Sequence, residues 1–321
     1  MKRNAFRAEE CQNPAMKKTE NISLHMTAGT WGLLVLLAAI WGCTFPFTEI
    51  ALRDMPPLTI VLGRVGLAAI GLLVFLKIRG IALPKDPVLW LAFAAMGFLN
   101  NVIPFNLIVQ GQTDISGSLA SIINATTPIF GVILAHFLTK DEKFSVGRFI
   151  GVGCGLGGVA VLMGGDALMG ATENVLGQAL VVGAATSYAF AGIFGRRFAT
   201  VKPVITATGQ LTMSALMMVP IAFYVDQPWT LAQPAWGSLA AVVALALVAT
   251  SAAYIIYFHI LSVAGATNLL LVTFLVPVSA VLLGTTFLGE VLQPTHLIGM
   301  GIIATGLVAI DGRIFRVFSR G

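Results

Sequence analysis

A chain of 321 residues with 57% apolar and only 10% charged residues, at a mean hydropathy of +0.90, is too poor in charge for a soluble domain, where about a quarter of residues are ionic. The net charge of +5 does not signal nucleic-acid binding, because the basic residues lie between long apolar runs and none alternates with exposed aromatics. Three cysteines, Cys11, Cys43 and Cys154, show neither pairing nor metal-ligand spacing, so no disulfide or zinc framework is implied and no metal or cofactor is called for.

Residues 1–25 are polar and mixed in charge, without a hydrophobic period, and read as a disordered cytoplasmic tail. The first apolar run is too long for a signal peptide and lacks a small-residue cleavage site, so it is read as a retained helix. A hydrocarbon core about 30 Å thick takes about 20 apolar residues per helix. Measured against that length, the chain holds ten spans: Thr30–Glu49, Leu58–Ile78, Pro87–Val109, Ser116–Leu138, Val146–Gly164, Val175–Gly195, Val204–Tyr224, Ala235–His259, Ala266–Leu288 and Thr295–Asp311. The connectors are too short to hold a soluble domain. Residues 313–321 form a second short tail.

Sorting the basic residues by connector sets the orientation. With the N-terminus inside, 17 of the 19 Lys and Arg fall on the cytoplasmic side, Arg53 falls outside and Arg64 lies within a span. This bias is the positive-inside signal, and it predicts that both termini are cytoplasmic.

The chain also repeats itself. The stretch Leu119–Met163 is written again as Asn268–Ile310: Pro128 and Pro277 are 149 residues apart, while Glu142 and Glu290, and Gly151 and Gly299, are each 148 apart. Gly63-Arg64 in the second span returns as Gly209-Gln210 in the seventh, at an offset of 146. Five spans per half is an odd number, so the second half enters the membrane from the opposite side. Inverted repeats of this kind place a ligand site near the midplane between the halves.

These features resemble the drug/metabolite transporter superfamily, EamA type. The resemblance rests on Ala39-Ile40-Trp41-Gly42, on Arg64 after Pro56-Pro57, on Pro128…Glu142…Gly151, and on its copy Pro277…Leu288-Gly289-Glu290…Gly299. It covers about residues 30–312 and implies an all-α integral membrane fold of ten transmembrane helices arranged as two inverted five-helix repeats. The first EamA repeat is then 30–164 and the second 175–312. The first copy departs from the pattern at Leu138-Thr139-Lys140-Asp141-Glu142, where Leu-Gly-Glu is preferred. Because Glu142 and Glu290 fall on opposite faces, they read as helix caps at positive dipole ends rather than as ligands.

Transport needs polar groups at mid-depth, about ten residues into a span, where each is costly unless it faces a cavity or a partner. Asn100 and Asn101 are adjacent amides about 100° apart on a helix, so at least one is expected to line a cavity, the alternative being a bond between helices. Asn124 and Thr127 share a face just before Pro128, whose missing N–H frees a carbonyl for a ligand or a threonine hydroxyl. The same logic marks Thr273 before Pro277. Trp41, Phe45, Tyr188, Phe190, Tyr254 and Tyr257 supply an aromatic lining on the first, sixth and eighth spans, and Gln210 is the second-half counterpart of Arg64. Arg64 is the one charge well inside a span. It reads either as half of a structural pair with Glu49 or Asp114, or as a guanidinium that recognises a substrate carboxylate.

His136 and His259, near the cytoplasmic ends of their spans, read as interfacial. No carboxylate lies at mid-depth, so no obvious proton relay is encoded. The rows Gly147, Gly151, Gly155 and Gly153, Gly157 suit close helix approach, either within one chain or in a weak homodimer. A membrane enzyme would need a charged catalytic cluster near an interface, and none is present, so no catalytic residue is assigned. The reading is a carrier that exports a small organic solute, such as an amino acid, an amphipathic metabolite or a drug, across the inner membrane by alternating access. Import of a related solute and a non-transporting membrane protein are the alternatives.

Overall fold

The computed structural model describes residues 26–139, 146–169, 174–287 and 294–311, and among these every regular element is helical. The expected tails and the paired glutamates Glu142 and Glu290 lie outside the described residues. In chain order the α-helices are α1 (Ala28–Gly42), α2 (Thr44–Leu52), α3 (Pro57–Ile78), α4 (Pro87–Gly97), α5 (Ile103–Gly111), α6 (Gly117–Asn124), α7 (Thr127–Leu138) and α8 (Val146–Met169). There follow α9 (Val175–Gly195), α10 (Pro203–Val225), α11 (Trp236–Ala246), α12 (Ala253–Leu270), α13 (Val272–Phe287) and α14 (Pro294–Asp311).

Local chemistry explains where these helices begin. Pro57, Pro87, Pro203 and Pro294 open α3, α4, α10 and α14, where the missing N–H costs nothing and the fixed φ already suits a helix. The Thr27 hydroxyl accepts from the Thr30 N–H ahead of α1 (3.2 Å), and the Asp86 carboxylate accepts from the Val88 N–H ahead of α4 (2.9 Å). Two further starts are capped from the other half of the chain. Asp226 accepts from the Thr59 N–H and hydroxyl at the head of α3 (2.7 and 3.0 Å), and Asp54 accepts from the Ala235 N–H and Ser238 hydroxyl at the head of α11 (3.1 and 2.6 Å).

Seven stretches are long and apolar enough to cross a membrane: Ala28–Leu52, Pro57–Ile78, Pro87–Gly111, Leu119–Leu138, Val175–Phe198, Pro203–Val225 and Trp236–Leu270. Phe149–Val161 and Leu297–Gly306 are shorter apolar helices. The longest stretch is broken at Gly265, whose φ of 80° is open to glycine and strained for other residues. Large apolar side chains cover the outside, with Leu91 at 73% and Phe137 at 76% exposure, as a lipid-facing surface requires and a water-facing one does not tolerate. Tyr224, Trp229 and Trp236 are exposed beside one another in the chain where α10 ends and α11 begins, the placement of an interfacial aromatic belt.

The two halves interleave. Helix α3 packs on α10 and α11, while α10 also packs on α4. Helices α8 and α14 meet through glycine: a Cβ on Gly306 would lie 2.6 Å from the Gly151 carbonyl oxygen, and one on Gly158 would lie 2.7 Å from the Ile303 nitrogen. Gly155 receives the ring of Phe274 in α13. The row Gly151, Gly155, Gly158 is therefore used in packing within the chain, whereas Gly153 and Gly157 have open space where a Cβ would stand.

Between α4 and α5, and again between α11 and α12, the helix widens into a π-turn: Phe98–Val102 and Leu247–Ala252. The turns begin 149 residues apart, the spacing that relates Pro128 to Pro277. A π-turn leaves carbonyls without their usual donor, and such turns cluster at functional sites.

Candidate functional site

Prolines and π-turns together interrupt the helices around one interior space. Pro46 has no N–H and its ring crowds the carbonyl four residues back, so the first helix ends at Gly42 and restarts at Thr44. Pro128 acts likewise on the Asn124 carbonyl, which instead accepts from the Thr127 hydroxyl at 2.6 Å. The carbonyl freed by Pro128 is thus satisfied inside the protein. The Thr273 hydroxyl donates to the Leu270 carbonyl at 2.8 Å, across the break between α12 and α13, rather than to a carbonyl freed by Pro277.

A cavity of about 60 Å³ opens between these interruptions. That is several times the roughly 10–15 Å³ that a single water needs. Its wall draws on both halves: Trp41, Thr44 and Phe45 from α1 and α2, Arg64 from α3, Phe105 from α5, Asn124 and Thr127 from α6 and α7, Tyr188 from α9, Tyr254 and Tyr257 from α12, and Thr273 from α13. Three of its aromatic rings form one cluster, with centroids 6.4 Å apart for Trp41 and Tyr254, 6.0 Å for Trp41 and Tyr257, and 5.6 Å for the two tyrosines.

The aromatic side chains are held by the π-turns. The Trp41 indole N–H donates to the Ala249 carbonyl (3.0 Å), and the Tyr254 hydroxyl donates to Asn101 Oδ1 (2.5 Å), with the Asn100 carbonyl at 3.1 Å. Ala249 and Asn100 are themselves 149 residues apart, so each half presents a π-turn carbonyl to an aromatic donor from the other. The Ser187 hydroxyl in α9 adds a bond to the Leu99 carbonyl at 2.7 Å.

Arg64 is only 6% exposed. Its Nε donates to Thr250 Oγ1 at 2.8 Å, the Thr250 hydroxyl donates onward to the Leu245 carbonyl at 2.7 Å, and Cζ sits 3.7 Å over the Phe105 ring centroid. Among the described residues no carboxylate lies within ion-pair distance of the guanidinium. The structural pair with Glu49 or Asp114 is therefore not made: both acids are exposed, while Arg64 points into the interior. Two buried wall oxygens, Asn124 Oδ1 and Thr44 Oγ1, have no hydrogen-bond partner among the described residues.

Seven of the ten candidate site residues are on the cavity wall: Trp41, Arg64, Asn124, Thr127, Tyr188, Tyr254 and Thr273. Asn100, Asn101 and Gln210 are not. Asn100 Nδ2 donates to Gln210 Oε1 (3.3 Å) and Asn101 Nδ2 donates to Ser214 Oγ (2.8 Å), so the two amides join the first π-turn to α10. Of the two readings of these amides, a cavity lining and a bond between helices, the described contacts are of the second kind: α10 meets both side-chain nitrogens and Tyr254 on α12 meets Asn101 Oδ1. Among the wall residues that were missed are Thr44 and Phe105. Pro46 inside the first span marked a break beside Thr44, and Phe105 lies 149 residues before Tyr254, so the repeat itself pointed to it.

A helical bundle that is apolar outside and encloses a polar, aromatic cavity built from both halves has the architecture of a membrane transporter. The chain belongs to the EamA-like transporter family, whose model matches residues 29–164 and again 175–310, and it is a transporter of the drug/metabolite type. It is 30% identical over 286 residues to the uncharacterized inner membrane transporter YedA of Escherichia coli (strain K12), covering 87% of this chain and 90% of that one. A probable amino-acid metabolite efflux pump of the same organism is 27% identical over 291 residues, covering 86% of this chain and 92% of the relative. A solved crystal structure superposes with a TM-score of 0.71 at 18% identity, over 89% of this chain and 98% of that one, a likeness that speaks for the fold alone.

Proposed function

We propose that the chain is an inner-membrane carrier that exports a small organic solute by alternating access, with the solute held in the cavity between two inverted five-helix repeats. The observation that carries this reading is the cavity itself: both halves contribute to its wall, and the wall presents a guanidinium and two oxygens without protein partners at mid-depth. Ending the seventh stretch at Gly265, joining residues 266–270 to α13 as one crossing and counting α8 and α14 as two more gives ten spans. With both termini cytoplasmic, the basic residues lie inside. The two repeats are taken as 30–164 and 175–312, and the chain as a monomer or weak homodimer. Export is favoured by the efflux relative, and inner-membrane placement by YedA.

Thr44→Phe tests the reading, because an added ring at the wall fills the cavity without removing a bond, the Thr44 hydroxyl having no partner among the described residues. Culture medium from cells producing wild type or Thr44→Phe at equal abundance is compared by untargeted mass spectrometry. A solute enriched outside only with the wild type supports export. One depleted from the medium reverses the direction, and matching media would overturn the carrier reading.

A further inference from the structure

Arg64 sets a requirement that no described part of the chain meets. A guanidinium carries five N–H donors, and here Nε alone finds a hydrogen-bond acceptor among the described residues, while Phe105 covers one face. Among the described residues no acidic one lines the cavity. An unpaired charge at the centre of a membrane protein is costly, and the fold does not need this one. The equivalent position in the second half is Gln210, a neutral amide that meets the opposite π-turn through Asn100. The scaffold accepts a neutral side chain at this joint, so the charge at Arg64 serves something other than packing.

The charge balance narrows what that is. A zwitterion or a neutral solute would leave the occupied site at net +1, a cation would raise it to +2, and a dianion would leave −1 with no second described cation on the wall. A monoanion closes it at zero. A carboxylate can accept two parallel N–H bonds from the free edge of a guanidinium. Asn124 Oδ1 is an acceptor only, buried and without a partner, so the solute must also bring an N–H or O–H. Because the carboxylate already balances the arginine, that donor must be neutral. The rings of Trp41, Tyr254 and Tyr257 suit an apolar body.

We infer that the transported solute is an organic monocarboxylate bearing a neutral hydrogen-bond donor, a hydroxy or N-acyl acid rather than a zwitterionic amino acid, with its carboxylate on Arg64 and its donor on Asn124. The inference rests on the carrier reading above and names its substrate class.

The test uses the full chain reconstituted in liposomes loaded with an equimolar mixture of hydroxy monocarboxylates, plain monocarboxylates, N-acyl amino acids, free amino acids and primary amines of three to nine carbons. Release is followed by mass spectrometry against protein-free vesicles. Wild type is expected to release hydroxy or N-acyl acids about tenfold or more faster than the matching amino acids. Arg64→Gln, which places in the first half the residue that the second half carries, is expected to lose that release about tenfold or more, as loss of a charged hydrogen bond implies. Arg64→Lys, which keeps the charge, is expected to retain part of it. Asn124→Leu is expected to narrow the gap between hydroxy and plain monocarboxylates. Release of amino acids or amines without monocarboxylates, or monocarboxylate release unchanged in Arg64→Gln, would overturn the inference and leave the carrier reading standing. No release of any class would overturn both.

Discussion

In the first half Arg64 on α3 meets the π-turn of the second half through Thr250, and in the second half Gln210 on α10 meets the π-turn of the first through Asn100. The glycine just before each residue makes the approach possible. A Cβ on Gly63 would lie 2.8 Å from Val242, and one on Gly209 would lie 2.2 Å from the ring of Phe93, itself 149 residues before Val242. The backbone joint is thus the same twice, and the side chains make it do different work. Around Gln210, two asparagines and Ser214 form a network that touches the cavity only through the Tyr254 hydroxyl and leaves Gln210 Nε2 buried without a partner among the described residues. Around Arg64 the bonding stops at Nε, and the rest of the guanidinium is left on the cavity wall. Repetition supplies a symmetric scaffold, and one difference within it places a guanidinium on the cavity wall.

The largest way to break this comparison is to exchange the charge. Gln210→Arg buries a cation in a site with no anion among its described neighbours, an expected loss of about 3–5 kcal/mol, seen as loss of the monodisperse peak in detergent size exclusion. Arg64→Gln is expected to keep that peak. If the two variants fold equally well, the joints do not differ as described. Next in size, Gly209→Ala pushes a Cβ into an aromatic ring, with an expected cost of about 1–3 kcal/mol. Gly63→Ala meets only a valine methyl and should lower the thermal midpoint less.

The aromatic donors sharpen the contrast at a finer scale. Tyr254→Phe leaves Asn101 Oδ1 and the Asn100 carbonyl without this donor, at about 1–3 kcal/mol, and should weaken solute release as the ring cluster loosens. A thermal midpoint within error of wild type would show that water replaces the hydroxyl. The smallest effect is expected at the caps: Asp226→Ala removes both bonds to Thr59 and Asp54→Ala those to Ala235 and Ser238, each about 0.5–2 kcal/mol. Similar midpoints for the two would fit caps that are equivalent across the halves, and a large difference would set one half apart.

Much of this architecture was legible without coordinates. The 149-residue spacing of Pro128 and Pro277 also separates the two π-turns, and it relates Phe105 to Tyr254 across the same cavity. The π-turns themselves were not legible, because Phe98-Leu99-Asn100-Asn101-Val102 and Leu247-Val248-Ala249-Thr250-Ser251-Ala252 share no residue pattern that names a widened turn. Asn100 and Asn101 could be recognised as needing partners, but not as finding them on α10.

The sequence by itself determined that the chain is helical, lipid-embedded and repeated, that prolines interrupt its helices, and that one cation lies within a span, about six residues from its outer end. Each follows from chain-local chemistry: apolar length, a missing N–H, or the cost of a buried charge. Only the tertiary structure decided which polar groups face the cavity and which join helices. A helix that is apolar on all sides carries no stripe to mark its inner face. An extra residue in a π-turn also rotates everything beyond it by up to about 100°. The direction in which Arg64, Asn101 or Asn124 points is therefore set by the neighbouring helices.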